Sequence, residues 1–250
     1  MRSHAELVAS APLPNRSPSR WRLTWASGVS PIAFRDTPEA VYLVGTAAWP
    51  VGDDRASLSV KVEAGADLVV RSAASSIAWA GNGSSLDVSV EVEEGAHLDW
   101  QLQPLVATSR CQFSQHVKLA IAPGASLRWV EEVVLGRHGE GPGDLHLRLD
   151  ADIGGEPLLR HALEVGRSVP GWDGAAVLGG HKAVGLELLA GTKLAHGSRA
   201  KCATAAQSEL NGATGAWASM SLEGPAVLLQ AVGADLPALR EGLRQAEAAR

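Results

Sequence analysis

Leu58-Ser-Val60-Lys-Val62-Glu-Ala-Gly65-Ala66-Asp-Leu68 returns further along the chain as Val88-Ser-Val90-Glu-Val92-Glu-Glu-Gly95-Ala96-His-Leu98. It returns again as Val117-Lys-Leu119-Ala-Ile121-Ala-Pro-Gly124-Ala125-Ser-Leu127. In each copy apolar residues stand seven, five and three positions before a Gly-Ala pair, and a leucine stands three after the glycine. Alternation of period two marks a strand with one buried face. The glycine falls where a tight turn needs a positive φ or no Cβ. The x-Leu-x that follows begins the next strand on the same core. A unit this short cannot bury its apolar face alone, so the copies must stack or pair with one another.

Working outward, the strand-turn rhythm runs from about Val41 to Gly166. Leu145, Leu147, Leu149, Ala151 and Ile153 alternate with His146, Arg148, Asp150 and Asp152. The turn after them, Gly154-Gly155-Glu156-Pro157, reads as a looser version of the repeat's turn. The pattern predicts an all-β (mainly β) protein, a β-helix or solenoid-like body of stacked strands with one or two C-terminal helices. A plain β-sandwich is the alternative, and the even glycine spacing favours the solenoid. Residues 1–20, with Pro12, Pro14 and Pro18, read as a flexible N-terminal segment. Residues 21–250 read as a single β-rich domain. Asp235-Leu236-Pro237 reads as a helix start, with Leu236, Leu239 and Leu243 on one face and a helix over about 235–248. Gly242 weakens that helix.

Composition narrows the classes. The 250 residues are 46% apolar and 20% charged with a net charge of −5. The 17 Arg and 5 Lys form no run, which argues against a nucleic-acid partner. No stretch approaches the ~18 uninterrupted apolar residues of a membrane span. Met1–Glu6 lacks a long apolar core behind it, so a secretory leader is not expected. Cys111 and Cys202 lie far apart, in no Cys-x-x-Cys pairing, as suits a reducing cytoplasm.

Catalytic motifs fail on inspection. Gly139-Glu-Gly141-Pro-Gly143-Asp144 is glycine-rich but precedes a strand, whereas a phosphate cradle needs helix amides. Gly179-Gly180-His181-Lys182-Ala183 has no Walker spacing, and there is no Gly-x-Ser-x-Gly, His-Glu-x-x-His or His-x-His. The eight histidines are scattered. The expectation is a protein that is not an enzyme and works by binding other proteins.

Several landmarks follow one order: Gly52-Asp53 before the first repeat strand, Ser72 to Trp79 after the first Gly-Ala-x-Leu, and Leu102-Gln103-Pro104 after the second. Leu135-Gly136-Arg137 and Gly139-Glu140 follow the third, and Ala234-Asp-Leu-Pro-Ala-Leu-Arg-Glu-Gly-Leu-Arg closes the chain. This order resembles the urease accessory protein family UreD, called UreH in some organisms, over roughly residues 30–245. It is strongest in the repeat and in the motif of Gly136, Arg137, Gly139 and Glu140. The sequence departs from the family pattern at Ala47-Ala48-Trp49-Pro50-Val51 and in the Ser-rich segment ending Ile77-Ala78-Trp79. The resemblance implies a β-helical body, no catalysis, and binding of UreF, which recruits the GTPase UreG. It further implies docking on apo-urease, assistance in nickel insertion, and a homodimer within the accessory complex.

A scaffold that passes Ni²⁺ through its interior needs carboxylate, imidazole or water along the way, because a bare divalent cation in an apolar medium is costly. Asp53, Glu131 and Glu140 match acidic positions of the family-like stretches, each beside a turn. They are the expected transient ligands, with no tightly bound cofactor. The competing role for Asp53 and Glu140 is to satisfy backbone amides at Gly52, Gly136 and Gly139. Arg137, with its planar fork, pairs with one of these carboxylates on this reading. Trp172 and Trp217 are candidate partner anchors, against the commoner fate of core tryptophans. A carbohydrate-binding β-helix and a self-assembling β-solenoid remain as alternatives from other classes.

Overall fold

The computed structural model describes residues 2–12, 21–26, 30–191, 204–210 and 213–249. The chain begins with β1 (Arg2–Ser10), β2 (Arg22–Ala26), β3 (Ile32–Asp36) and β4 (Val41–Gly45). The repeat follows as β5 (Arg55–Val62), β6 (Asp67–Ser72), β7 (Ser76–Ala78), β8 (Ser84–Val92), β9 (His97–Gln101), β10 (Leu105–Ala107), β11 (Gln112–Ile121) and β12 (Ser126–Leu135). Beyond it lie β13 (Asp144–Ile153), β14 (Glu156–Val165), β15 (Ala183–Ala190), β16 (Thr204–Leu210), β17 (Ala213–Ser221), β18 (Ala226–Gly233) and the helix α1 (Leu236–Ala248).

Each repeat copy places one strand in each of two sheets. Sheet A, of seven strands, runs β14-β13-β11-β8-β5-β1-β2. Sheet B, of eleven, runs β16-β17-β18-β15-β12-β9-β6-β4-β3, with β10 beside β12 and β7 beside β10. The Gly-Ala turn carries the chain from one sheet to the other, and its glycines have φ of 71° (Gly65), 70° (Gly95) and 81° (Gly124). Only glycine reaches that region without steric cost. Equivalent residues of the copies become parallel neighbours: Leu58 with Val88 and Val117, and Leu68 with Leu98 and Leu127. The sequence repeat is therefore a register, and the body is solenoid-like as expected.

Two expectations change. The Gly154-Gly155 turn does not send the chain across to sheet B. Both glycines have positive φ, 61° and 87°, the geometry of a two-residue hairpin. β13 therefore turns back on itself and pairs antiparallel with β14, which ends the coil stacking. The N-terminus also differs from its reading as flexible: Arg2–Ser10 is a strand parallel to β5, with Ala5, Leu7 and Ala9 fully buried. Its apolar face is mostly alanine, a weak signal beside the prolines that follow. Residues 13–20 of that segment lie outside the described residues.

One helix is present among the described residues, at the predicted place. The Asp235 side chain accepts from the Ala238 N–H and caps it. Leu239, Leu243 and Ala246 pack on Leu189, Val227, Leu229 and Ala231, on the outer face of sheet B. Gly242 lies on the buried side of the helix. Arg240 fixes it further with a two-pronged ion pair to Glu132, 2.9 and 2.7 Å, whose side chain is only 2% exposed.

Candidate functional site

The space between the sheets is not filled evenly. Leu127 and Trp129 of β12 belong to one apolar cluster, and Val133 and Leu135 to another. Glu131 stands between them. The same break recurs on three other strands. On β11 it falls at Gln115, between Phe113 and Val117; on β14 at His161, between Leu159 and Leu163; on β18 at Gln230, between Leu228 and Val232. Four strands thus place a polar side chain at the boundary between the two clusters, where alternation alone calls for an apolar one; in sheet A, Gln115 is in register with Leu147 and His161 with Leu149, one side-chain step apart.

These four side chains bond in pairs across the gap. Gln115 Nε2 donates to Glu131 Oε1 at 3.0 Å, joining β11 to β12. Gln230 Nε2 and His161 Nε2 meet at 3.0 Å, joining β18 to β14. In sheet B, Glu131 pairs with Leu186 and Leu186 with Gln230. The two bridges are therefore two strand spacings apart, about 10 Å.

Two cavities share part of their walls here. One, of about 410 Å³, is lined by Trp49, Trp79, Trp100, Phe113, Trp129 and Glu131, among others, and reaches the exposed Ser75, Ser76 and Trp79. The other, of about 460 Å³, takes in Glu131, His161, Trp217 and Gln230 and reaches the exposed Ala162, Ala176 and Val177. Their linings share Glu131, Val133 and Leu147. Glu131 is half-buried and lines both cavities. Burial pushes its carboxyl up to about 7, against the pull of the nearby Trp129 indole and of the Gln115 hydrogen bond. Burial also holds His161 below the ordinary imidazole range. Trp100 and Trp129 stack at 4.8 Å in the wall of the first cavity.

Of the three acidic residues singled out from sequence, Glu131 lines these two cavities, and Asp53 and Glu140 line neither. It lies within strand β12, away from any turn. Asp53 sits in the turn after Gly52, next to the backbone that bonds Trp79 through Pro50. Glu140 grips Arg137 with two hydrogen bonds of 3.1 and 2.6 Å, and that guanidinium lies 5.5 Å over the Trp79 ring. Arg137 holds the Glu140 carboxyl below its usual range. Both residues therefore stand near Trp79, beside the rim of the first cavity. Gly136 (φ 87°) would bring a Cβ within 2.4 Å of the Glu140 carbonyl oxygen; Gly52 is held by its positive φ of 65°, with open space where its Cβ would stand. Gly139 has φ 76° in the same turn.

Trp172 packs, half-buried, against the second apolar cluster. Trp217 is half-buried between the second cavity and α1, where its indole N–H donates to Gln245. The large apolar side chains most exposed among the described residues are Trp25, Val51, Trp79 and Val177. Among those residues no group of three His, Cys, Asp or Glu forms a metal site.

Residues 22–250 match the model of the UreD urease accessory protein family. The chain belongs to the UreD family. It is 38% identical over 232 residues to the urease accessory protein UreD 3 of Streptomyces griseus, covering 88% of this chain and 87% of that one. It is 37% identical to UreD 2 of Saccharopolyspora erythraea over 82% of this chain and 72% of the relative. It is 40% identical to the UreD of Streptomyces avermitilis over 63% and 66% of the two chains. The carbohydrate-binding and self-assembling alternatives have no counterpart in these matches. In this UreD chain the sequence reading missed Gln115, His161 and Gln230. Their signal is a polar residue on an apolar register, legible only once the facing strands are known.

Proposed function

We propose that this UreD chain is a non-catalytic scaffold of urease maturation. With UreF and the GTPase UreG it binds apo-urease in the cytoplasm and assists nickel insertion. The joined cavities form the passage for Ni²⁺, and Glu131 is the carboxylate at its midpoint. The observation that carries this reading is the sharing of Glu131 by both cavity linings. A single carboxylate with one amide neighbour suits transit, because few hard donors bind a divalent cation weakly and let it leave. Asp53 and Glu140, beside the Trp79 rim, act as entry ligands. Trp172 and Trp217 support the partner-facing surfaces of the C-terminal third from beneath, and a homodimer within the complex would present two passages.

The test has two parts. The tagged chain is used to capture UreF and UreG from the same organism, and urease activity is measured in a strain lacking this gene. Co-purification and loss of activity without the gene are expected. No capture and normal urease activity contradict the role.

A further inference from the structure

Glu131 alone does not explain why the passage should favour nickel. Oxygen donors bind Mg²⁺ as readily, and Mg²⁺ is a hard cation that an all-oxygen route would admit. The second cavity contains a donor of another kind. His161 projects from β14 into it and is neutral, with one ring nitrogen carrying a lone pair. Gln230 Nε2, at 3.0 Å, donates to His161 Nε2, which leaves the ring proton on Nδ1. A cation that takes Nε2 displaces one hydrogen bond. The Gln230 amide then needs only a half-turn to offer its carbonyl oxygen.

The position matters as much as the chemistry. His161 lies one bridge beyond Glu131, about 10 Å along the interior, with Leu147 and Leu149 of β13 and Leu186 of β15 in the wall between. A cation leaving Glu131 through the second cavity meets apolar wall, and His161 is the imidazole there. Borderline cations such as Ni²⁺ bind imidazole well, whereas Mg²⁺ prefers oxygen and sheds water reluctantly. We propose that His161, held by Gln230, is a second transit ligand whose imidazole selects Ni²⁺ over Mg²⁺ in the second cavity. This rests on the passage reading above.

The test uses the purified complex of this chain with its partners and apo-urease, supplied with radiolabelled Ni²⁺ with and without excess Mg²⁺. His161→Gln is expected to transfer Ni²⁺ normally without Mg²⁺ and roughly tenfold less with it. Gln230→Leu removes the bridge but keeps the imidazole, and should remain insensitive to Mg²⁺. If His161→Gln tolerates Mg²⁺ as the parent does, or Gln230→Leu becomes equally sensitive, the selectivity role is overturned. Glu131→Gln is the control: normal transfer by that variant overturns the passage itself, and His161's role with it. A measurement on the unaltered complex covers a variant that fails to assemble. Ni²⁺, and not Mg²⁺, should protect His161 from carbethoxylation mapped by mass spectrometry. Equal modification with and without Ni²⁺ overturns the proposal.

Discussion

Replacing Glu131 by Gln removes one ionisable group from the interior and barely changes the side chain's shape. Its carboxyl is raised from 4.5 to about 7 by burial. The folded state therefore keeps a proton that the unfolded chain releases. The contribution is fully present below pH 4.5 and is lost as pH rises toward 7, because the unfolded state binds fewer protons in that window. The shift of about 2.5 units corresponds to an upper limit of about 3 kcal/mol. Water in the adjoining cavities screens part of this, which leaves roughly 2 kcal/mol. The amide that replaces the carboxyl keeps a carbonyl oxygen to accept from Gln115. Urea unfolding followed by tryptophan fluorescence should show equal stability of parent and Glu131→Gln near about pH 4.5, and a more stable variant by roughly 2 kcal/mol near about pH 8. His161, the other titratable group in the second cavity, is common to both proteins and cancels in the difference. A gap that does not vary with pH, or a variant less stable at the higher pH, refutes the reasoning.

Gly136→Ala forces a Cβ into the Glu140 carbonyl at a positive φ, so a loss of about 3 kcal/mol is expected in thermal unfolding. Arg240→Met leaves the buried Glu132 carboxylate without its partner; because Arg240 is itself half-exposed, a loss of about 2 kcal/mol is expected in urea, and Glu132→Gln in the same chain should recover part of it. Asp235→Ala removes the cap of α1 and should cost about 1 kcal/mol, read as earlier hydrogen exchange in the helix.

Repetition made the fold legible. Three copies of one strand-turn-strand pattern place equivalent residues side by side, so Val60, Val90 and Leu119 could be stacked on sequence alone. Where the pattern is carried mostly by alanine it fades, as with Ala5, Leu7 and Ala9 of β1. Where two glycines replace one, as at Gly154-Gly155, the same turn composition produces a hairpin. The site was only partly legible for a different reason. Glu131 could be picked out as an acid in a family-like stretch. His161 and Gln230 are 69 residues apart and meet only because β14 and β18 end on opposite sheets at the same level. A single polar residue in an apolar strand carries little information, and four on four strands mark the boundary between two apolar clusters.

The central claim is that nickel travels through the interior at Glu131. Val133 lines both cavities beside it, and Val133→Phe places a ring in the junction without touching a donor. The measurement is the nickel content of urease matured by the assembled complex carrying that variant. The account predicts complex formation as in the parent and urease nearly free of nickel; full nickel loading through a blocked junction would contradict it.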